Sequence, residues 1–223
     1  YYNKYTSNIH RGDYANSLKV SDMYEDTREV IRDFINAKHS SEIVFTSGTT
    51  DSINRIVFGY FKYNLSEGDE VLLTESEHAS NILPWFRLAS EIGIKIKYIP
   101  LDEKGMITPE NVRKVMNNNV KLVSIAQIGN VLGYKVDIKT ISKMVHEYKA
   151  ILVVDGAQSV PHNKTNFKDL DCDFLTFSAH KMCGPTGIGA LIGKYDLLDK
   201  MDAMFNGGGM NAKFSCDGTC ETL

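Results

Sequence analysis

Cysteine is scarce in this chain: four in 223 residues, at Cys172, Cys183, Cys216 and Cys220. That is too few, and too irregular, for a disulfide framework, and it points to a reducing, cytoplasmic compartment. Cys216 and Cys220 have the spacing of half a metal site, but no second pair or histidine cluster completes it, so no metal is expected. No apolar run approaches the length of a membrane span, so a soluble protein with no membrane partner is expected. A net charge of −3 gives no electrostatic case for nucleic acid or an anionic surface. The opening Tyr1-Tyr2-Asn3-Lys4-Tyr5 is not a signal peptide. A starting Met is also missing, which suggests a fragment, and there are no internal repeats.

What is present is an ordinary apolar share of 43%, enough for a real core. Short β-rich runs alternate with helical patterns, which predicts an α/β domain with a mostly parallel sheet. Strands are predicted over 42–46, 70–74, 94–99, 121–126, 151–155, 174–178 and 188–193. Helices are predicted over 21–37, with acidic residues early in it, and over 49–63, 81–92 and 138–148. Pro84 is tolerable only in a first turn, and Thr108-Pro109-Glu110 opens a further helix with a cap and a proline. Asn117-Asn118-Asn119 reads as a turn. Beyond Lys200 the pattern decays into a polar, strand-poor tail.

Ligands in open α/β sheets bind beyond the carboxyl ends of the strands, and the notable polar residues sit there. Thr46-Ser47-Gly48-Thr49-Thr50 follows a strand and opens a helix, a place for phosphate or for a plain Ser/Thr cap. It is not a Walker loop, since no Lys follows the glycine. His78 follows the second strand and would stack on a ring and exchange protons, or simply lie on the surface. Asn130 follows the strand ending at residue 126, near the same rim or in an ordinary turn. Asp155 ends an apolar run, where a carboxylate needs a cationic partner unless it caps a helix. Gln158 is one turn later. Ser178, His180 and Lys181 end the next strand and lead to Gly184-Pro185-Thr186-Gly187-Ile188-Gly189. An acid at one strand end and Ser-x-His-Lys at the next is how a pyridoxal phosphate (PLP) site is written. The lysine holds the aldehyde as a Schiff base and the acid pairs with the pyridinium nitrogen.

Motifs along nearly the whole chain carry a resemblance. They include His10-Arg11-Gly12, Glu42-Ile43-Val44-Phe45-Thr46-x-Gly48-Thr49-Thr50 and Gly68-Asp69-Glu70-Val71. Further on come Glu77-His78-x-Ser80-Asn81-x-x-Pro84-Trp85, Asn130-Val131-Leu132-Gly133 and Asp155-Gly156-Ala157-Gln158-x-x-Pro161-His162. Asp171-Cys172-Asp173-Phe174, His180-Lys181 and Gly207-Gly208-Gly209-Met210 complete the series. With these the chain resembles the class V aminotransferase family of fold-type I PLP enzymes, above all its SufS-type (group II) cysteine desulfurases and selenocysteine lyases.

The resemblance implies a three-layer αβα sandwich, the PLP-dependent transferase large domain. It divides the chain into an N-terminal arm and helix (1–40), the PLP-binding large domain (41–205) and the start of a connection to a missing small domain (206–223). It implies Lys181 as the Schiff-base lysine and mover of the Cα proton. His78 would stack on the ring, Asp155 pair with its nitrogen and Gln158 touch its phenolic oxygen. Thr49, Thr50, Ser178 and His180 would bind the phosphate, with Asn130 near the substrate end. L-cysteine would be the substrate, and a cysteine thiolate of the enzyme would take its sulfur and release alanine. A homodimer and a SufE- or SufU-type sulfur acceptor, serving iron–sulfur cluster assembly, are implied with it. Ala179 departs from the family's glycine, and Cys183 stands where an aromatic is common. The family's first strand, the Phe-Glu-x-Gly-Thr segment, and the small domain with its carboxylate-binding Arg and persulfide cysteine have no counterpart here. None of the four cysteines aligns with that nucleophile, so this chain alone is expected to be inactive. The alternatives are selenocysteine lyase, another class V PLP enzyme, or a folded fragment without activity.

Overall fold

The computed structural model describes residues 4–205, 207, 211–214 and 220–222. Tyr1-Tyr2-Asn3, Gly208-Gly209-Met210 and Cys216 of the sequence reading lie outside the described residues.

The chain begins with helix α1 (Ala15–Ile35). It starts earlier than the residue 21 expected, because Tyr14 caps it without a side-chain hydrogen bond and leaves no cap signal in the sequence. The acidic residues therefore fall in its middle, not its first turn. Asn36 closes it in the left-handed conformation, its N–H reaching Asp33 O. Strand β1 (Ile43–Thr46) leads into α2 (Thr49–Arg55), which continues through a π-helical turn over Ile56–Phe61 into α3 (Lys62–Asn64). β2 (Glu70–Leu73), α4 (Leu83–Ile92), β3 (Lys95–Tyr98), α5 (Pro109–Val115) and β4 (Val120–Ala126) follow. Pro84 sits in the first turn of α4, and Thr108 caps α5 by accepting the Asn111 N–H, both as the sequence predicts.

α6 (Ile138–Glu147) precedes β5 (Ile151–Asp155), and two short helices, α7 (Ser159–His162) and α8 (Phe167–Leu170), lead to β6 (Phe174–Ser178). β7 (Gly189–Gly193) and α9 (Tyr195–Leu198) come next. The tail is not strand-poor: β8 (Asn211–Phe214) pairs antiparallel with β9 (Cys220–Thr222). No helix among the described residues is long and apolar enough to cross a membrane.

The main sheet has seven strands in the order β1-β7-β6-β5-β4-β2-β3. β7 runs antiparallel to both neighbours, and the other pairs are parallel. Alternation along the central strands divides the core between the two faces. Leu152, Val154, Leu175 and Ile192 join Ile35, Val112, Ile141 and Val145 on one face. Leu122, Val153, Phe174 and Leu191 join Ile53, Val57, Trp85 and Leu88 on the other. The result is three layers, with α1, α5 and α6 on one side and α2, its π turn and α4 on the other. Phe61 meets Trp85 edge to face at 5.4 Å, which fastens the second layer. The edge strand β3, Lys-Ile-Lys-Tyr, is largely exposed, and its lysines discourage pairing with another chain.

The amino-terminal ends of β5 and β6 are pinned by a buried carboxylate. Asp173 Oδ2 accepts from the Leu152 N–H and from His146 Nε2, each at 2.8 Å, and Oδ1 meets Lys194 Nζ at 2.9 Å. Burial pushes the Asp173 carboxyl up, but the bonds from His146, Lys194 and the Leu152 N–H outweigh it and hold it below its usual range. The bond to Asp173 in turn raises the imidazole of His146 above its ordinary value, against the pull of burial. A raised folded value means that this stabilisation is complete below the ordinary histidine range and fades as pH rises through the folded value. His146→Gln should therefore cost more stability near about pH 5.5 than near about pH 8.5, by on the order of 1 kcal/mol. Thermal unfolding at the two pH values checks this, and an equal loss at both would contradict it.

Candidate active site

β1, β2, β4, β5 and β6 all point their carboxyl ends to one rim. Three clusters form there. The first joins β1 to β6. Gly48, at φ +146°, caps α2 without a side chain, and a Cβ there would lie 3.2 Å from Ser178 Oγ. A Cβ on Gly189 would lie only 2.6 Å from the Gly48 Cα, so this approach of β7 to the loop requires glycine. The closeness lets Ser178 Oγ accept the Thr49 N–H at 2.8 Å while it also meets Thr49 Oγ1 at 2.9 Å. The N-cap of α2 is Gly48, and the first helical N–H is taken by Ser178 of β6 rather than by a Ser or Thr of the loop. The corner gathers the Thr49 and Ser178 hydroxyls at a helix start, a setting suited to a phosphate.

The second cluster is built on the turn after β2. His78 Nδ1 accepts the Ser80 N–H at 3.1 Å and lies 3.0 Å from Ser80 Oγ, which in turn meets Thr50 Oγ1 at 2.8 Å. The imidazole is exposed toward the rim but tethered at one nitrogen.

The third is Asp155, only 5% exposed at the end of β5. Its Oδ1 accepts the Ala157 N–H at 2.8 Å. Burial pushes its carboxyl up, and the Ala157 N–H, Lys181 and His78 work in the opposite direction. The Lys181 amine and the His78 imidazole thus face the buried acid. Lys181 sits partly buried in a 3-10 turn (Ala179–Lys181) at the end of β6.

The structure therefore gathers Thr49 with Ser178, Thr50 with His78, and Asp155 with Lys181 and His78. Gln158, partly buried, and Asn130 and His180, both exposed, follow β5, β4 and β6 at the same rim but outside these clusters. Two residues with a part in the site had no role in the sequence reading. Ser80 orients His78, and a Ser two residues after a loop His is the signal for it. Glu77 lies buried behind His78, and its signal was a carboxylate beside an apolar strand end.

Taken together, the rim offers a lysine amine, a tethered imidazole, a buried acid needing a positive partner, and a corner of N–H and hydroxyl groups. An aromatic aldehyde with a protonatable ring nitrogen and a phosphate matches this set group by group, so the residues fit PLP. Asp155 is the decisive observation, because a protonated ring nitrogen offsets the burial that works against its charge.

Comparison with known proteins agrees. The model of the family "Aminotransferase class-V" matches residues 1–222. A probable cysteine desulfurase of Halalkalibacterium halodurans is 46% identical over 210 residues, covering 94% of this chain and 52% of that protein. The apo structure of a cysteine desulfurase from Thermococcus onnurineus NA1 superposes with a TM-score of 0.93 at 38% identity, over 100% of this chain and 55% of that one. The Escherichia coli cysteine desulfurase CsdA gives a TM-score of 0.90 at 33% identity, over 100% and 55%. The chain spans about half the length of the curated relatives it matches. Its fold, the donor set at the rim and these likenesses agree: the chain belongs to the class V aminotransferase family.

Proposed function

We propose that the full protein is a PLP-dependent cysteine desulfurase, converting L-cysteine to L-alanine and passing the sulfur on as a persulfide. One observation carries the reading: Asp155, buried at the end of β5, faces Lys181 and His78 beside the Thr49–Ser178 corner. The 46% identity to a probable cysteine desulfurase narrows the reaction within the family.

When bound, PLP supplies an electron sink that accepts negative charge from the substrate's Cα. The chain's residues do the rest. Lys181 Nζ would hold the aldehyde and would serve as the base that moves the substrate's Cα proton. Asp155 would pair with the ring nitrogen and favour its protonated form. His78, tethered through Ser80, covers the ring face, and Gln158 donates to the phenolic oxygen. Thr49, Thr50, Ser178 and His180 hold the phosphate, and Asn130 lies toward the substrate. A thiolate of the full protein attacks the substrate sulfur; the carbon–sulfur bond breaks, its electrons return to the substrate carbon, and protonation there gives alanine. Cys172 is unsuited to that attack, since burial pushes its thiol far up. The working form is taken to be a homodimer in the cytoplasm, with a SufE- or SufU-type acceptor and iron–sulfur cluster assembly as the destination.

In the full protein, Lys181→Ala should abolish the near-visible absorbance of bound PLP and all alanine formation from cysteine. A retained band with turnover would overturn the assignment. Asp155→Asn should retain fold and some PLP but lower alanine production by about 100-fold, the scale of losing one preorganised charge. A loss below about threefold would show that Asp155 does not govern the ring nitrogen.

A further inference from the structure

Among the described residues, Glu77 is the one buried carboxylate at the rim that the proposed reaction leaves without a task. It is 7% exposed, directly precedes His78 and is held on every side. Thr74 Oγ1, just past β2, donates to Oε1 at 2.7 Å, and Asn81 Nδ2 donates to Oε2 at 2.8 Å. The Ala126 N–H at the end of β4 also favours the charged form of the carboxylate. Asn81 carries the chain of bonds onward, its Oδ1 accepting from Ser124 Oγ on β4 at 2.6 Å. Thr74, Asn81 and Ser124 are all fully buried. The Asn81 N–H also closes the turn on His78 O at 2.7 Å.

We propose that Glu77 is a positioning residue of the cofactor site: it locks the turn that carries His78 onto β4, and so sets the height and direction of the imidazole over the ring. A turn of exposed residues such as His78 and Ala79 has no apolar anchor of its own, and the buried carboxylate supplies one. An uncharged turn could be fixed by a backbone bond alone. Two side-chain donors fix the carboxylate within the turn, and the Asn81–Ser124 bond ties that turn to β4.

The same carboxylate has an electrostatic consequence. Its donors are neutral, and Asp155 on β5 is the charged group facing it. Asp155 is faced in turn by Lys181 and His78. Burial pushes the Glu77 carboxyl up to about 7, against the bonds from Asn81, Thr74 and Ala126, and the charge of Asp155 adds to the rise. Near neutral pH, Glu77 therefore passes between charged and neutral forms within electrostatic reach of Asp155. Ionised, it adds negative potential there and favours a protonated ring.

This inference rests on the PLP reading, so the test uses the full protein loaded with PLP and reads binding and spectra rather than turnover. Visible circular dichroism reports ring orientation, and a PLP titration gives the dissociation constant. Glu77→Gln should weaken PLP binding about three- to tenfold, the worth of one hydrogen bond, and remove the change in the dichroic band across about pH 7. Ser124→Ala cuts the far end of the lock without touching the charge, so it should weaken binding while keeping the pH change. If Glu77→Gln does not fold, Ser124→Ala alone decides, and native-like binding and dichroism in it would overturn the lock. Native binding and an unchanged pH profile in Glu77→Gln would overturn the proposal while leaving the PLP reading intact. If the unmodified protein shows no PLP band, both fall together.

Discussion

The site depends on one electrostatic constraint, a carboxylate placed at the buried end of a parallel strand. A lone ion there would be costly, and the protein answers by arranging the ends of three other strands around it. β6 brings Lys181, the turn after β2 brings His78, and β4, paired with β5 through Ala126 and Asp155, brings the backbone against which that turn is locked. The Thr49–Ser178 corner follows from the same sheet. β7 reverses direction beside β6, and only glycines at positions 48 and 189 let that strand, the loop and Ser178 approach closely enough.

The opposite ends of β5 and β6 show the contrasting use of a buried acid. Asp173 is met by His146, Lys194 and a backbone N–H within the chain itself, so its charge is settled and serves stability. Asp155 accepts one backbone N–H, and burial outweighs that bond and the influence of Lys181 and His78, so its carboxyl stays raised. The difference between a structural acid and a functional one lies in the completeness of its partners.

Much of this was legible in the sequence because the strands are buried on both faces. β5 and β6 occupy the predicted 151–155 and 174–178, since parallel strands in a three-layer fold read as unbroken apolar runs. Asp155 and Lys181 stood out because polar residues end those runs. What escaped has physical reasons. The start of α1 carries no capping side chain, and the π turn at Ile56–Phe61 has the same apolar spacing as an ordinary helix. The β8–β9 hairpin is short and polar, and its pairing is with itself. Ser80 and Glu77 depend on how a turn folds over a strand end, which periodicity does not record. Gln158, His180 and Asn130 were legible as polar residues that follow strand ends, and they lie at the same rim outside the three clusters.

The central claim is that Lys181 is the residue to which the cofactor attaches, opposite Asp155. Borohydride reduction of the PLP-loaded full protein, followed by peptide mass mapping, tests it most directly, because reduction makes the lysine–cofactor bond permanent. The account predicts one phosphopyridoxyl group per chain, on Lys181. A label on any other lysine, or none on Lys181 in protein that carries bound PLP, would contradict it.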